Sequence, residues 1–307
     1  MTVSTATATT SDPIAPKAVR GSPVGPRSFA AEPGRVVRGI ILGIVGVVFL
    51  VPIVAMIEFS LRVGQPVDGR QAYGFQHFVA VFDPVNSRAY GVLFQGIVNS
   101  IGICAITVLI VLVLLLPTMI FVELKFPGLR RALEFVCIIP ITIPSIVLVV
   151  GFVPVYSVVA GIFGSHPWTL SFAVGIIVLP YAYRPIAANL RAIEVVVLSE
   201  ASRSLGAGWT SVLTRVILPN LRRGILSSVF ITIAVVLGEY TIASFLSQNT
   251  FQTALILVQH TDPYVAVIFA LFALIFAFVL LVFIGRLGSG SPRPRRGGPR
   301  RLTRRPE

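Results

Sequence analysis

The 307 residues are 55% hydrophobic and only 12% charged, whereas an ordinary soluble domain carries about a quarter charged residues. That imbalance excludes a soluble globular class and points to a single helical domain in lipid. The formal net charge of +13 is almost all arginine, and no aromatic residue or recognition module accompanies the arginines between Arg286 and Arg305. The basic tail therefore reads as a cytoplasmic anchor beside membrane lipids, with no nucleic acid as partner.

In chain order, residues 1–36 are rich in Pro, Ser, Thr and Ala and are expected to form a disordered cytoplasmic tail, because they hold too little apolar surface for a core. A helix needs about twenty apolar residues to cross the hydrocarbon layer. Six runs meet that length: Val37–Phe59, Ile97–Val122, Phe135–Ala160, Trp168–Ala187, Gly224–Leu246 and Val265–Arg286. The third and fourth share one uncharged stretch, which Gly161, Gly164, Ser165, His166 and Pro167 break into a tight hairpin. The spans make one six-helix transmembrane domain over residues 37–287, followed by a basic cytoplasmic tail over 288–307.

Orientation follows from counting Lys and Arg in alternate compartments. The N-terminal tail, second loop, fourth loop and C-terminal tail hold five, three, six and eight, while the first loop holds three and the third and fifth hold none. That bias of 22 to three predicts that both termini and the fourth loop are cytoplasmic.

Prolines recur inside the spans, and Pro140 with Pro144 stands out as a pair; the readings are a kinked helix lining a path or simply proline's frequency in membrane helices. Gly96, Gly102, Gly151, Gly175 and Gly238 would allow helices to approach closely. Cys104 and Cys137 sit in apolar runs and read as small buried hydrophobes.

The fourth loop, residues 192–223, shows two helical periods. Val197, Leu198, Ala201 and Leu205 share one face, and Gly206 is placed to stop that helix. Trp209, Val212, Leu213, Val216 and Ile217 share a second face, with Pro219 expected to end it. Amphipathic helices of this kind either lie on a membrane or fill a groove in a partner protein.

Glu200-Ala201-Ser202, then three residues, Gly206, nine residues and Val216-Ile217-Leu218-Pro219 resembles the EAA motif of permease subunits in binding-protein-dependent ABC importers. Ser202 and Val216 replace the family's Ala and Ile. The resemblance implies an all-α membrane protein with six transmembrane helices and the type I ABC importer permease fold, multi-pass in the bacterial plasma (inner) membrane. It also implies that Glu200, Ala201, Ser202, Gly206 and Pro219 belong to the segment that couples to an ATPase. The implied partners are a second permease subunit, an ATP-binding subunit dimer and an extracytoplasmic substrate-binding protein. ATP and Mg would be held by the ATPase. The chain has no Gly-Lys pair for a phosphate-binding Walker loop, and neither a catalytic constellation nor a metal-ligand spacing is evident.

Ionisable groups inside spans are functional suspects. Glu239 lies roughly 22 Å from Gly224 at 1.5 Å per residue, in the outer third of the core, and Glu58 ends the first span at a similar height. Gly238-Glu239-Tyr240-Thr241-Ile242-Ala243 also resembles polyamine-type permeases. Glu239, Tyr240, Glu58, Pro140 and Pro144 are thus the substrate-pathway candidates, with a spermidine- or putrescine-like cation as expected cargo. The alternatives are sulfate, phosphonate, iron or sugar on the same machinery, or an ion-coupled secondary transporter.

Overall fold

Apolar runs with no water to satisfy their backbone must close their own hydrogen bonds, so they become helices. The computed structural model describes residues 34–67, 70–83 and 87–288. The expected tails therefore lie outside the described residues, but for 34–36 and Gly288 at their inner ends. Six helical stretches are long and apolar enough to cross a membrane: Val36–Ser60, Tyr90–Lys125, Ser145–Phe163, Pro167–Ala192, Trp209–Leu237 and Pro263–Gly288. Large side chains that a soluble protein would bury, such as Leu114, Val147 and Phe278, stand exposed along them, the surface that lipid covers.

The chain divides into two units at Pro52, residues 1–52 and 53–307. The described part of the first is most of α1 (Arg35–Ser60), with Pro52 inside the helix. In the second unit, α1 leads into a hairpin of β1 (Arg62–Val67) and β2 (Arg70–Tyr73), paired antiparallel with Arg62 opposite Tyr73. A short helix α2 (Gln76–Phe82) follows. Neither hairpin nor α2 was expected from the sequence, whose first loop has no clear period.

Span 2 is α3 (Ser87–Ile110), a π-helical turn over Val111–Leu115, and α4 (Leu116–Lys125). The same arrangement recurs in span 5, where α9 (Trp209–Ser211) runs through a π turn over Val212–Ile217 into α10 (Leu218–Leu237). Each π turn ends just before a helix with proline at its second residue, Pro117 and Pro219. A proline ring collides with the carbonyl four residues back, and widening the preceding turn is one way to carry the helix past it. Pro219 therefore does not end the second loop helix, as the sequence predicted; it starts a new α-helical segment in a continuous rod.

The expected third span, Phe135–Ala160, is broken. Helix α5 (Arg130–Thr142) stops at Ile143, and α6 (Ser145–Phe163) starts afresh. Ile143 is extended (φ −100°, ψ 127°), as the residue before a proline prefers, and Pro144 has no amide to donate back to Pro140. The membrane-crossing segment is α6. Gly164 then turns the chain with φ at +83°, where the hairpin was expected.

Helix α7 (Leu170–Ala192) is the centre. Val174, Val178, Ala182, Ile186 and Leu190 recur every fourth residue and are all buried, one stripe of an α-helix. It packs chiefly on α10, with α3 and α5 beside it. A Cβ on Gly224 of α10 would stand 2.7 Å from Cβ of Asn189 and 2.9 Å from the Pro185 carbonyl oxygen, so the two helices cross nearly backbone to backbone. Gly96 does the same between α3 and α12 (Phe251–Thr261), where a Cβ would lie 2.7 Å from the Thr250 carbonyl oxygen. Gly102 and Gly151 face open space. A second, smaller cluster joins Val81 of α2 and Leu93 of α3 to Ala254 and Val258 of α12 and Val265 and Phe269 of α13 (Pro263–Gly288).

Candidate functional site

The fourth loop becomes α8 (Val195–Ser204), followed by the turn at Gly206 and the start of span 5. Two left-handed residues bracket α8: Glu194 at φ +45° and Gly206 at φ +86°. The end at Gly206 is a Schellman stop. Its amide donates to the Arg203 carbonyl at 2.9 Å and that of Ala207 to the Ser202 carbonyl at 3.2 Å, so two otherwise unpaired carbonyls are satisfied.

One edge of α8 packs on the core. Val195 and Ser199 are buried, with Leu198 and Ser202 half-buried beside them, the i, i+3, i+4, i+7 pattern. Val195 belongs to the same apolar cluster as Val212 and Ile217 of the π turn and Ala182 and Ile186 of α7. Val197, Ala201 and Leu205 of the predicted apolar face point outward, with Glu200 among them, while Leu198 of that face is half-buried. Val197 is 60% and Leu205 89% exposed. Of three consecutive valines, 195 to 197, the core takes Val195 and leaves Val197 on the outward face.

Beyond Gly206, Trp209 is flanked by two cations. The Arg203 guanidinium carbon lies 4.7 Å and the Lys125 Nζ 5.1 Å from its ring centroid, within the roughly 6 Å reach of cation–π attraction. Trp209 thereby ties α8 to the end of α4. Of the expected coupling residues, Glu200, Ala201 and Ser202 lie in α8 and Gly206 at its stop, whereas Pro219 lies ten residues past Trp209 along the span 5 rod.

The pathway candidates are dispersed. Helix α10 ends at Leu237, and Glu239 sits in the break before α11 (Thr241–Phe245), not within a span helix as predicted. Gly238 and Tyr240, on either side, are exposed. The Glu239 carboxylate accepts from the amide of Ile242 at 2.9 Å and 3.1 Å through its two oxygens, and from that of Ala243 at 3.3 Å. It caps the short helix as an acid at an N-terminus does. Ile242 and Ala243 are fully buried in the main cluster, which fixes α11 against α6 and α7.

Glu58 takes a different setting. Arg62 grips both its oxygens at 2.9 Å and 3.1 Å through Nε, and the Tyr73 hydroxyl donates to it at 2.8 Å. Those bonds push the Arg62 and Tyr73 protons to higher pKa than usual. Glu58 thus closes the hairpin onto the end of α1. Pro140 helps line a small cavity of about 80 Å³ with Ser145, Ile177 and Tyr181, while Pro144 forms the α6 start. No hydrogen bond or ion pair joins Glu239 to Glu58 among the described residues.

Sequence reasoning missed α12, although Thr250 and Thr253 give it a reciprocal capping box and Phe251, Ala254 and Val258 a buried period. It also missed Asp262, which accepts from the amides of Tyr264 and Val265 at the start of α13 and from the Tyr90 hydroxyl. The His77 ring stacks on Tyr264 beside it.

The family described as binding-protein-dependent transport system inner membrane component matches residues 120–289, from α4 to the end of span 6 and so across α8 and its glycine stop. No curated protein matches the chain. With six membrane-length helices and a family match over more than half its length, the chain belongs to the inner-membrane permease components of binding-protein-dependent ABC import systems.

Proposed function

We propose that this permease forms half of a translocation path, pairs with a second permease subunit, and couples to an ATP-binding dimer through the outward face of α8, with an extracytoplasmic binding protein delivering the cargo. The observation that carries the reading is the exposed Val197-Glu200-Ala201-Leu205 surface ending at the left-handed Gly206. An apolar helix face with one acid, held off the core by its own buried edge, suits a groove in a soluble partner. ATP and Mg belong to that partner. This side of the molecule, with both termini, is cytoplasmic on the charge bias. Glu200→Lys reverses the charge of the face without touching its buried edge. In the assembled complex it should uncouple ATP hydrolysis from transport at unchanged membrane abundance. ATP hydrolysis that still responds to loaded binding protein as in the parent would remove α8 from the coupling role.

For the cargo we favour a polyamine-like cation. Glu58 is already neutralised by Arg62, which leaves Glu239, beside exposed Tyr240, as the acid able to meet it at the break in span 5. Glu239→Gln keeps an acceptor for the Ile242 amide but removes the charge. Uptake of labelled spermidine should fall with complex abundance unchanged. Unaltered uptake would take Glu239 out of the path, and no spermidine uptake by the parent would sink the cargo assignment and leave the permease assignment standing.

A further inference from the structure

One end of the molecule carries an apolar cleft that the coupling reading does not use. It lies between α4 and the first turns of span 5, with a volume of about 490 Å³ and walls that include Ile120, Phe121, Leu124, Trp209, Leu213 and Ile217. That volume is in the range of about 300–1,000 Å³ typical of ligand sites. Both walls belong to stretches long and apolar enough to cross a membrane, and Phe121 on the cleft's edge is 56% exposed. From Pro117 to Leu124 the wall runs for about 10 Å at 1.5 Å per residue.

The cleft is not apolar to its end. Lys125 is the last residue of α4 and, with Arg203 of α8, stands against the Trp209 ring that forms part of the wall. Among the ion pairs of the described residues, neither cation has a carboxylate partner. Two like charges held near one aromatic ring repel one another and attract an anion beside that ring. A trough of aliphatic and aromatic side chains that ends at two cations, where a span leaves the hydrocarbon, matches one kind of molecule in its surroundings. We propose that this cleft binds an anionic glycerophospholipid of the surrounding leaflet, its acyl chain along α4 and span 5 and its phosphate on Lys125 and Arg203.

Basic pockets between membrane helices hold such headgroups elsewhere, and here the charge pattern selects anionic over zwitterionic lipid. A zwitterionic headgroup would bring its own ammonium to the two cations. A protein segment would have to supply both an apolar filling and an acid at one end. Because Arg203 belongs to α8 and Lys125 to α4, the phosphate would bridge the coupling helix to span 2. The lipid then sets how firmly α8 is tied to the membrane domain. The proposal rests on the span assignment and stands apart from the cargo.

The chain has two tryptophans, so Trp168→Phe leaves Trp209 as the only one; the substitution keeps an aromatic ring beside Phe163 and Phe172. The full-length Trp168→Phe chain is reconstituted in phosphatidylcholine vesicles holding rising fractions of acyl-brominated phosphatidylglycerol or acyl-brominated phosphatidylcholine. Bromine quenches tryptophan only at contact range. Half-maximal quenching of Trp209 is expected at a several-fold lower fraction of the phosphatidylglycerol. Lys125→Gln with Arg203→Gln should abolish that preference, and Lys125→Arg should retain it. Equal quenching by the two lipids, a preference that survives the double glutamine variant, or no quenching by either would each overturn the proposal.

Discussion

Gly206 offers the most direct test of the turn that ends α8, because its cost of substitution can be worked from one torsion angle. Its φ is +86°, a conformation that costs any residue with a Cβ about 1–2 kcal/mol. Nothing lies within 4 Å of where that Cβ would be, so no steric clash adds to the backbone term. Gly206→Ala should therefore weaken the Schellman stop by the backbone strain alone, shifting the closed-to-open ratio of the turn by about 5- to 30-fold. The readout is hydrogen exchange at the Ala207 amide, which is bonded to the Ser202 carbonyl and exchanges through local opening. After correction for intrinsic rates, its protection should fall by that factor, while amides in the interior of α10 keep theirs. Asparagine tolerates the left-handed region better, so Gly206→Asn should lose less. If Gly206→Ala leaves the Ala207 amide as protected as in the parent, the strain argument is refuted.

Gly224→Ala places a methyl 2.9 Å from a backbone carbonyl and 2.7 Å from the Asn189 side chain. Forcing α7 and α10 apart should cost about 1–3 kcal/mol, seen as a lower unfolding midpoint, whereas Gly102→Ala, with open space around it, should not lower it. Glu239→Ala removes the cap of α11 at about 0.5–2 kcal/mol and should raise amide exchange at Ile242 and Ala243; equal exchange would mean the cap is idle. Cysteines placed at Ser204 and Ser247, both exposed, should label from opposite sides of the membrane, Ser247 alone from outside intact cells. External labelling at Ser204 would overturn the orientation.

Much of this fold is legible in the sequence because lipid imposes so simple a rule. Charge-free length and the Gly164 break are enough to predict six spans. What the sequence did not show are the places where the chain departs from regular helix. Pro144 and Pro219 look alike as residues, yet one ends a helix and the other does not. At Pro144 a second proline four residues back and an extended Ile143 leave the backbone no way to continue, whereas the π turn over Val212–Ile217 absorbs Pro219. Which of these wins depends on packing, since Val212 and Ile217 are both fully buried. For the site, the stop expected at Gly206 is present as a left-handed turn. The direction in which α8 faces is set by contacts with distant residues of α7 and the π turn, which no local period contains.

These departures have a mechanical consequence. Because Pro219 does not break it, the helix from Trp209 to Leu237 is one rod of 29 residues, about 43 Å at 1.5 Å per residue. Its first end abuts the turn after α8, and its last end is the Gly238–Tyr240 break that holds Glu239. Val195 of α8, Val212 and Ile217 of the π turn, Val236 of α10, and Ile242 and Ala243 of α11 all belong to a single buried cluster with α7. A close-packed cluster transmits displacement rather than absorbing it, so a pull on α8 would be passed to the rod and to α7, which cross closely at Gly224. The rod ends at three residues with no regular helix, two of them exposed, a place where such movement would be released. On the proposed coupling role of α8, the acid proposed to meet the cargo would sit at a joint in span 5 that motion of α8 works.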